Sequence, residues 1–410
     1  MKVTAVLLAA GQGTRMKSDL PKVLHPLCGK PMLWHVLEAL KSATTEKPVV
    51  VVGHGAEAVQ KYLAESADCV LQEPQLGTGH AAMQAEALLR GKTDYVIVTY
   101  ADMPLLRGET FQRLVETQRS NPGPFSLLTV IADDPRGFGR IVRNDDGTVE
   151  AIVEEYVATP EQRLIKELNV GAYCFQADWL WDALHRIEKN PRKGEYYLTD
   201  IVEIAIRDDL PVQAVVHDDF IETIGINSRV HLAEAESALR MRINQDHMLN
   251  GVSMMDPAST YIEVGVKIGK DTIIMPNTYV HGNTTIGERN VIGPNTIIRN
   301  TSIGNGCKIL ASVLEGAVLE DDVDMGPFAR LRKGAHLKSH VHMGNFGEVK
   351  DSTLHEGVKM GHFSYIGNAD IGANTNIGAG TITCNFDGEK KHPTVIGEDA
   401  FIGSDTMLVA

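Results

Sequence analysis

Thr284-Thr285-Ile286-Gly287-Glu288-Arg289-Asn290-Val291-Ile292-Gly293-Pro294-Asn295-Thr296-Ile297-Ile298 decides how the second half of this chain folds. Its aliphatics Ile286, Ile292 and Ile298 recur every six residues, and the register runs back through Val280, Ile274, Ile268 and Ile262. It slips by one residue at Ile303 and Ile309, returns at Ile371 and Ile377, and again at Ile396, Ile402 and Leu408. A small residue, usually Gly, often follows the aliphatic. A helix places apolar residues every three or four positions and a strand every second. A period of six fits a solenoid in which each unit is a short strand plus a turn, with one aliphatic pointing into a stacked core. Such a coil is a rigid wall, so its chemistry is expected where the pattern is interrupted. The heaviest interruption is expected between Gly326 and Gly367, and a second between Thr383 and Pro393.

The remaining sequence bounds the answer. A chain of 410 residues suits two or three domains. Acidic side chains outnumber basic ones, 53 to 39, for a formal charge of −14. That balance argues against nucleic acid as a partner, because phosphate contacts need clustered Lys and Arg. No apolar run is long enough to span a bilayer, so no membrane insertion is expected. Cys28, Cys69, Cys174, Cys307 and Cys384 are scattered and odd in number, which reads as free thiols in a reducing cytoplasm. The apolar N-terminus runs straight into Gly11-Gln12-Gly13-Thr14-Arg15, a strand ending in a loop rather than a leader.

Three regions follow. Residues 1–228 alternate apolar runs (Val3–Ala10, Val49–Val52, Tyr95–Thr99) with helical stretches (Pro31–Leu40, His80–Leu89). This alternation implies a mostly parallel sheet covered by helices, with ligands beyond the carboxyl ends of the strands. Residues 229–250 form a linker helix: Arg229–Leu249 lacks Gly and Pro and repeats apolar residues at Leu232, Ala235, Leu239 and Ile243. The solenoid occupies 251–410.

The first region holds Leu8-Ala9-Ala10-Gly11-Gln12-Gly13-Thr14-Arg15-Met16 and then Pro21-Lys22-Val23-Leu24. Glycines after a strand let backbone amides approach a phosphate, and Arg15 and Lys22 add charge. The dinucleotide fingerprint is excluded, because no third Gly follows at its spacing. The combined motif resembles the nucleotidyltransferases that join a sugar 1-phosphate to a nucleoside triphosphate. Gln72 with Leu76-Gly77-Thr78-Gly79-His80, Tyr100-Ala101-Asp102-Met103-Pro104, Gly137-Phe138-Gly139-Arg140-Ile141, Glu154, Leu168-Asn169-Val170-Gly171, Glu195–Asp200 and Gly225-Ile226-Asn227 follow in that family's order. Over the whole chain the likeness is to the bifunctional N-acetylglucosamine-1-phosphate uridyltransferases and glucosamine-1-phosphate acetyltransferases.

That resemblance implies an α/β chain with a Rossmann-like nucleotidyltransferase domain, a linker helix and a left-handed parallel β-helix of hexapeptide repeats. It implies synthesis of UDP-N-acetylglucosamine and pyrophosphate from UTP and N-acetylglucosamine 1-phosphate, a precursor step for peptidoglycan and lipopolysaccharide. Arg15 and Lys22 become the catalytic cations, and Asp102 and Asn227 the magnesium ligands. Leu8, Ala9, Ala10, Gly11, Gly13, Gln72, Gly77, Thr78 and Tyr100 become the nucleotide site, and Gly139, Glu154, Asn169, Thr199 and Asn227 the sugar site. By itself Asp102 also suits a turn cap before Pro104; the ordered motif set favours the metal reading.

In the solenoid, Gly326–Arg332, Asn345–Lys350, Gly361–Tyr365, Asn374–Gly380 and Thr383–Gly388 resemble the acetyltransferase half. The resemblance makes His362 the base that deprotonates the amine of glucosamine 1-phosphate for attack on acetyl-CoA. Imidazole titrates near neutral pH and suits that task. Arg332, Lys350, Tyr365, Asn376 and Lys391 would hold the sugar phosphate, the Ala379 amide would face the oxyanion, and Asn385, Phe386 and Ser404 would line the acceptor or coenzyme side. Phe386 stands where relatives often have Tyr, and Ala101 and Ser228 also depart from the commoner residues. A homotrimer is implied. His336, His340 and His342 lack the ligands that a zinc site needs. Leu408-Val409-Ala410 ends in mid-coil without a polar cap, so weakened acetyl transfer is expected. Two rivals remain: another sugar-phosphate nucleotidyltransferase with a β-helix, such as ADP-glucose pyrophosphorylase, and a non-catalytic regulatory subunit. The Gln72 and Gly77-Thr78 segment and the His362 segment disfavour the first, and intact Arg15, Lys22, Asp102 and Asn227 the second.

Overall fold

The computed structural model describes residues 1–191 and 193–409. It divides into two compact units, Met1–Glu236 and Ser237–Ala410. Ala410, with the expectation drawn from it, lies outside the described residues.

The first unit is built on β1 (Val3–Leu8), β2 (Val49–Val52), β3 (Asp68–Leu71), β4 (Tyr95–Tyr100), β5 (Phe125–Ile131), β6 (Arg140–Arg143), β7 (Val149–Val153), β8 (Glu167–Gln176) and β9 (Val212–His217). Along the sheet the order is β9-β5-β8-β4-β1-β2-β3, with the hairpin β6–β7 branching from β8. All neighbours in that order are parallel except β8, which runs against both β4 and β5. The apolar run of β1 explains its central place. Val6 and Leu8 enter one core, Val3, Ala5 and Leu7 the other, because successive side chains point to opposite faces. A strand buried on both faces needs an uninterrupted apolar run. Helices over Met32–Leu40 and Gly108–Ser120 supply the cover on one face. The single helix expected over His80–Leu89 is two, Thr78–Met83 and Glu86–Leu89, and it starts earlier than the pattern implied.

The helix Arg229–Leu249 carries the chain into the second unit. Among the described residues that unit holds three parallel sheets of nine, nine and eight strands, each strand two to four residues long. It is a parallel β-helix. Ile268 pairs with Ile286, Ile286 with Ile303, and Ile303 with Leu319, so the slip seen in the sequence is a coil one residue shorter. The inward aliphatics form one continuous core. Buried hydroxyls at the corners return hydrogen bonds to the backbone, as in Thr278 Oγ1 to Met275 O at 2.7 Å.

One expectation is corrected. The ladder is not broken between Gly326 and Gly367. Met325, Leu331, Leu337, Met343, Val349, Leu354, Met360 and Ile366 are all buried in the same column positions. Met and Leu fill the space that Ile fills elsewhere, and unbranched Met adapts to it readily. The interruption near residue 385 is real: Ile371 pairs with Ile396, and the intervening loop protrudes.

Candidate active sites

In the first unit the site lies at the carboxyl ends of β1 and β4, as an open α/β sheet favours. After Leu8 the chain is pinned by the Ala9 amide on Val51 O (2.9 Å) and then turns away. Gly11 is exposed, and a Cβ there would touch nothing among the described residues, so its backbone faces open space. Gly13 has φ 62°, and a Cβ would lie 2.8 Å from Lys22 Cβ. Only Gly permits that approach, which brings Lys22 beside the loop.

The Lys22 ammonium contacts the Asp102 carboxylate and donates to Asn227 Oδ1 at 3.2 Å. The turns carrying the two acceptors are fastened by the Ile226 amide on Asp102 O (2.9 Å). One carboxylate and one amide oxygen therefore converge on a single positive charge.

Two hollows meet here. A cleft of about 480 Å³ is lined by Leu8, Ala9, Ala10, Gly11, Lys22, Gln72, Gly77, Thr78, Tyr100 and Asp102, among others. A recess of about 190 Å³ is lined by Gly139, Glu154, Asn169, Thr199 and Asn227, and it shares Tyr100 and Asp102 with the cleft. In the cleft wall, Gln72 Nε2 donates to Gly77 O at 2.9 Å, and the Leu198 amide donates to Thr78 Oγ1 at 3.0 Å. In the recess, Thr199 Oγ1 donates to Glu154 Oε1 at 2.9 Å, and the Asn169 backbone amide donates to Gly139 O at 2.8 Å. Tyr100 stands between the hollows; burial, and then the Glu154 carboxylate, push its phenol above the usual range.

Gly13 and Arg15 lie outside both linings, and Arg15 is exposed on a short turn, Thr14–Met16. Gln75 was missed by the sequence reading. It lines the cleft, and its Nε2 donates to Ala10 O at 2.6 Å, bracing the loop. Its only sequence signal is its place between Gln72 and Gly77.

In the second unit, Arg332 Nη1 meets Glu348 Oε1 at 2.9 Å. Tyr365 stacks one coil beyond Glu348 in the same sheet. A Cβ on Gly367 would lie 2.4 Å from the Tyr365 hydroxyl, so the ring lies flat along the coil. The protruding loop closes through the bridge Phe386–Lys391 and brings Lys391 back to Lys350. The Lys350 ammonium, with Arg332 behind it, holds the Lys391 pKa below its ordinary value. Three cations thus share one place, and Glu348 on Arg332 and Asp351 at 3.7 Å from Lys350 offset only part of their charge. Asn385 is buried beside it and donates to Asn368 Oδ1 at 2.6 Å. His362, Phe386 and Ser404 are exposed, and Asn376 and Ala379 half-buried on the following coil. Among the described residues none of these five makes a side-chain hydrogen bond to the cations. His336 and His342 are taken by carboxylates of the preceding coil, Glu320 at 2.9 Å and Asp324 at 3.2 Å.

Comparison with known proteins fits both units. Residues 5–165 match the MobA-like NTP transferase domain, and residues 265–300 match the bacterial transferase hexapeptide repeats. The chain is 47% identical to the bifunctional protein GlmU of Geobacillus sp. (strain WCH70), over all of this chain and 89% of that one. The chain belongs to the GlmU family. It is 45% identical to the Enterococcus faecalis GlmU and 43% identical to that of Listeria monocytogenes serovar 1/2a, over 99% of this chain and 89% of each relative. Family membership makes it a transferase with two activities, nucleotidyl transfer to give UDP-N-acetylglucosamine and acetyl transfer from acetyl-CoA. The β-helix is the left-handed hexapeptide-repeat form. No helix among the described residues is long and apolar enough to cross a membrane.

Proposed function

We propose that UTP and N-acetylglucosamine 1-phosphate meet at Asp102, the nucleotide in the larger cleft and the sugar in the recess. The observation that carries this reading is the Lys22 ammonium held between Asp102 and Asn227 where the two hollows join. Gln72, Gly77 and Thr78 would face uracil, and the amides of Leu8–Gly11 the triphosphate, with Gly13 shaping the loop. Gly139, Glu154, Asn169 and Thr199 would hold the sugar, with Tyr100 between. A phosphate oxygen of the sugar phosphate attacks the α-phosphorus; the new O–P bond forms as the bond to pyrophosphate breaks. The protein's share is alignment and charge. Lys22, and Arg15 once drawn in by the anion, supply cationic charge that strengthens as negative charge moves onto the leaving group.

Asp102 and Asn227 fit Mg²⁺. They are hard oxygen donors already turned on one cation, and two protein ligands leave positions for phosphate and water. Such an ion, when bound, offsets phosphate charge.

In the second unit we assign the phosphate of glucosamine 1-phosphate to Arg332, Lys350 and Lys391, with Tyr365 and Asn376 on the sugar. His362 takes a proton from the amine, nitrogen attacks the thioester carbonyl, and the thiolate of coenzyme A leaves. Ala379 would stabilise the oxyanion, and Asn385, Phe386 and Ser404 would border acetyl-CoA. This reading assigns residues 1–228 to uridyl transfer, 229–250 to the linker and 251–410 to acetyl transfer. It sets the enzyme in the cytoplasm with its substrates, as a homotrimer through the β-helix, feeding peptidoglycan and lipopolysaccharide synthesis.

The test is a substrate panel: UTP, ATP, GTP and dTTP against several sugar 1-phosphates, followed by pyrophosphate release, with thiol release from acetyl-CoA measured separately. Turnover confined to UTP with N-acetylglucosamine 1-phosphate supports the first assignment. Preference for ATP with glucose 1-phosphate, or no turnover at all, refutes it.

A further inference from the structure

We infer that Arg140 is a positioning residue that fixes the spacing of three walls of the recess beside Asp102; the inference rests on reading that recess as the sugar site. Arg140 is 1% exposed, yet it lines neither hollow. Its guanidinium Nη1 donates to Phe138 O, within the loop Gly137–Gly139 that forms one wall, and pairs with Glu155. Glu155 follows Glu154, which forms the second wall and holds Thr199. The Arg140 backbone pairs with Leu168 on one side and Val153 on the other. Leu168 adjoins Asn169 of the third wall, whose amide bonds to Gly139 O. One buried side chain and its own strand therefore tie together the segments at 137–139, 154 and 169.

Stability alone does not account for this residue. A buried ion pair is weak evidence of stabilisation, because desolvation offsets the attraction. Here Arg140 Nε and the contacting Glu155 Oε2 are both buried with no hydrogen bond among the described residues, although the Glu155 side chain as a whole is 38% exposed. The charge is better explained by geometry: one guanidinium nitrogen, Nη1, reaches a carbonyl on one segment and a carboxylate on another, and the planar group fixes where that nitrogen lies. A small misplacement of a bound reactant is costly, so a wall held this way acts on the sugar and not on the nucleotide.

Steady-state pyrophosphate release by Arg140→Met, Arg140→Lys and Glu155→Gln tests this, with each substrate varied in turn. Arg140→Met is expected to raise KM for N-acetylglucosamine 1-phosphate about tenfold or more, with KM for UTP within about twofold. Arg140→Lys should recover part of the loss, because an ammonium keeps the charge without the rigid plane that places Nη1. Loss of folded protein lowers apparent kcat and leaves KM alone, so a purely structural role gives the opposite pattern. Equal rises in both KM values, or unchanged KM with reduced kcat, overturn the inference. If Arg140→Met does not fold, Glu155→Gln decides: an unchanged sugar-phosphate KM overturns the inference. If the unaltered chain prefers another sugar 1-phosphate, the substrate reading fails instead, and the same ratios are read on that sugar.

Discussion

The ammonium of Lys22 rests on the carboxylate of Asp102, joining residues 80 positions apart in a pair whose side chains are only 14% and 19% exposed. Asn227 accepts from the same ammonium. Removing one partner leaves the other charge part-buried without compensation. Asp102→Asn should cut UTP-dependent pyrophosphate release by about 10²-fold or more, the scale of losing a charge-stabilising group. Acetyl-CoA-dependent thiol release should be untouched, since that site lies in the other unit. Near-normal pyrophosphate release at saturating magnesium would sink the assignment.

Gly77 has φ 98° and ψ 178°, a region open essentially to Gly alone. A Cβ there would lie 2.5 Å from Tyr196 O, and that carbonyl already accepts from the Gly79 amide. Gly77→Ala should strain the wall by about 1–3 kcal/mol. The expected readout is a rise in KM for UTP of about tenfold or more, while the sugar-phosphate KM moves less. A variant with wild-type UTP affinity would show that this wall does not meet the nucleotide.

Burial, then the neighbouring Glu203 and Glu154 carboxylates, raise the Asp200 pKa to about 6. The folded state thus binds this proton more tightly than the unfolded chain. The resulting stabilisation is complete below about pH 4 and is lost as pH rises through about 6. Asp200→Asn should therefore stabilise the first unit at pH 7–8 by about 1 kcal/mol, reduced from the full shift because the group is part-exposed. Its side chain makes no capping bond that Asn would lose. Melting curves from pH 4 to 8 check this; an advantage independent of pH contradicts it.

His362 is exposed on the β-helix, and the proposed reading sets the substrate amine against it. His362→Ala is expected to slow thiol release by about 10²–10⁴-fold, the usual worth of a positioned base. Pyrophosphate release by the same preparation should stay at the wild-type level. Thiol release within a fewfold of normal would remove His362 from the chemistry.

Lys391, Lys350 and Arg332 crowd positive charge, and the crowding depresses the Lys391 pKa. The phosphate that the proposed reading sets there would reverse that penalty. Lys391→Ala should raise the KM for glucosamine 1-phosphate about tenfold, while the melting temperature holds or rises. Weakened stability with unchanged KM would mean that the group serves the fold instead of an anion.

The sequence made the two halves readable for different reasons. In β1, an apolar run with both faces buried could only be a central strand. The six-residue ladder could only be a coil, since neither a helix nor a lone strand repeats at that interval. Reading the ladder from aliphatics without Met misplaced its interruption, because Met343 and Met360 occupy the same inward positions as Ile274 and Ile292. Column position is a matter of geometry, and residue type only biases it.

The site was legible as residue types and not as distances. Lys22, Asp102 and Asn227 were each marked by a local motif, but their meeting depends on strand order β4-β1-β2 and on the Ile226–Asp102 bond. Gln75 and Arg140 were passed over as site residues because their work is done through a neighbour's backbone, Ala10 O in one case and Phe138 O in the other. Lys391 reaches Lys350 only because the loop at 385–392 folds back.

By itself, then, the sequence determined the fold class, the coil and the ordered motifs, because apolar periodicity and glycine placement act locally along the chain. Only the tertiary structure decided that two hollows share Asp102, that Arg140 braces three walls, and that three cations converge beside Tyr365. Those are distances between residues far apart in sequence, and short-range propensity carries no information about how chain segments return to one another.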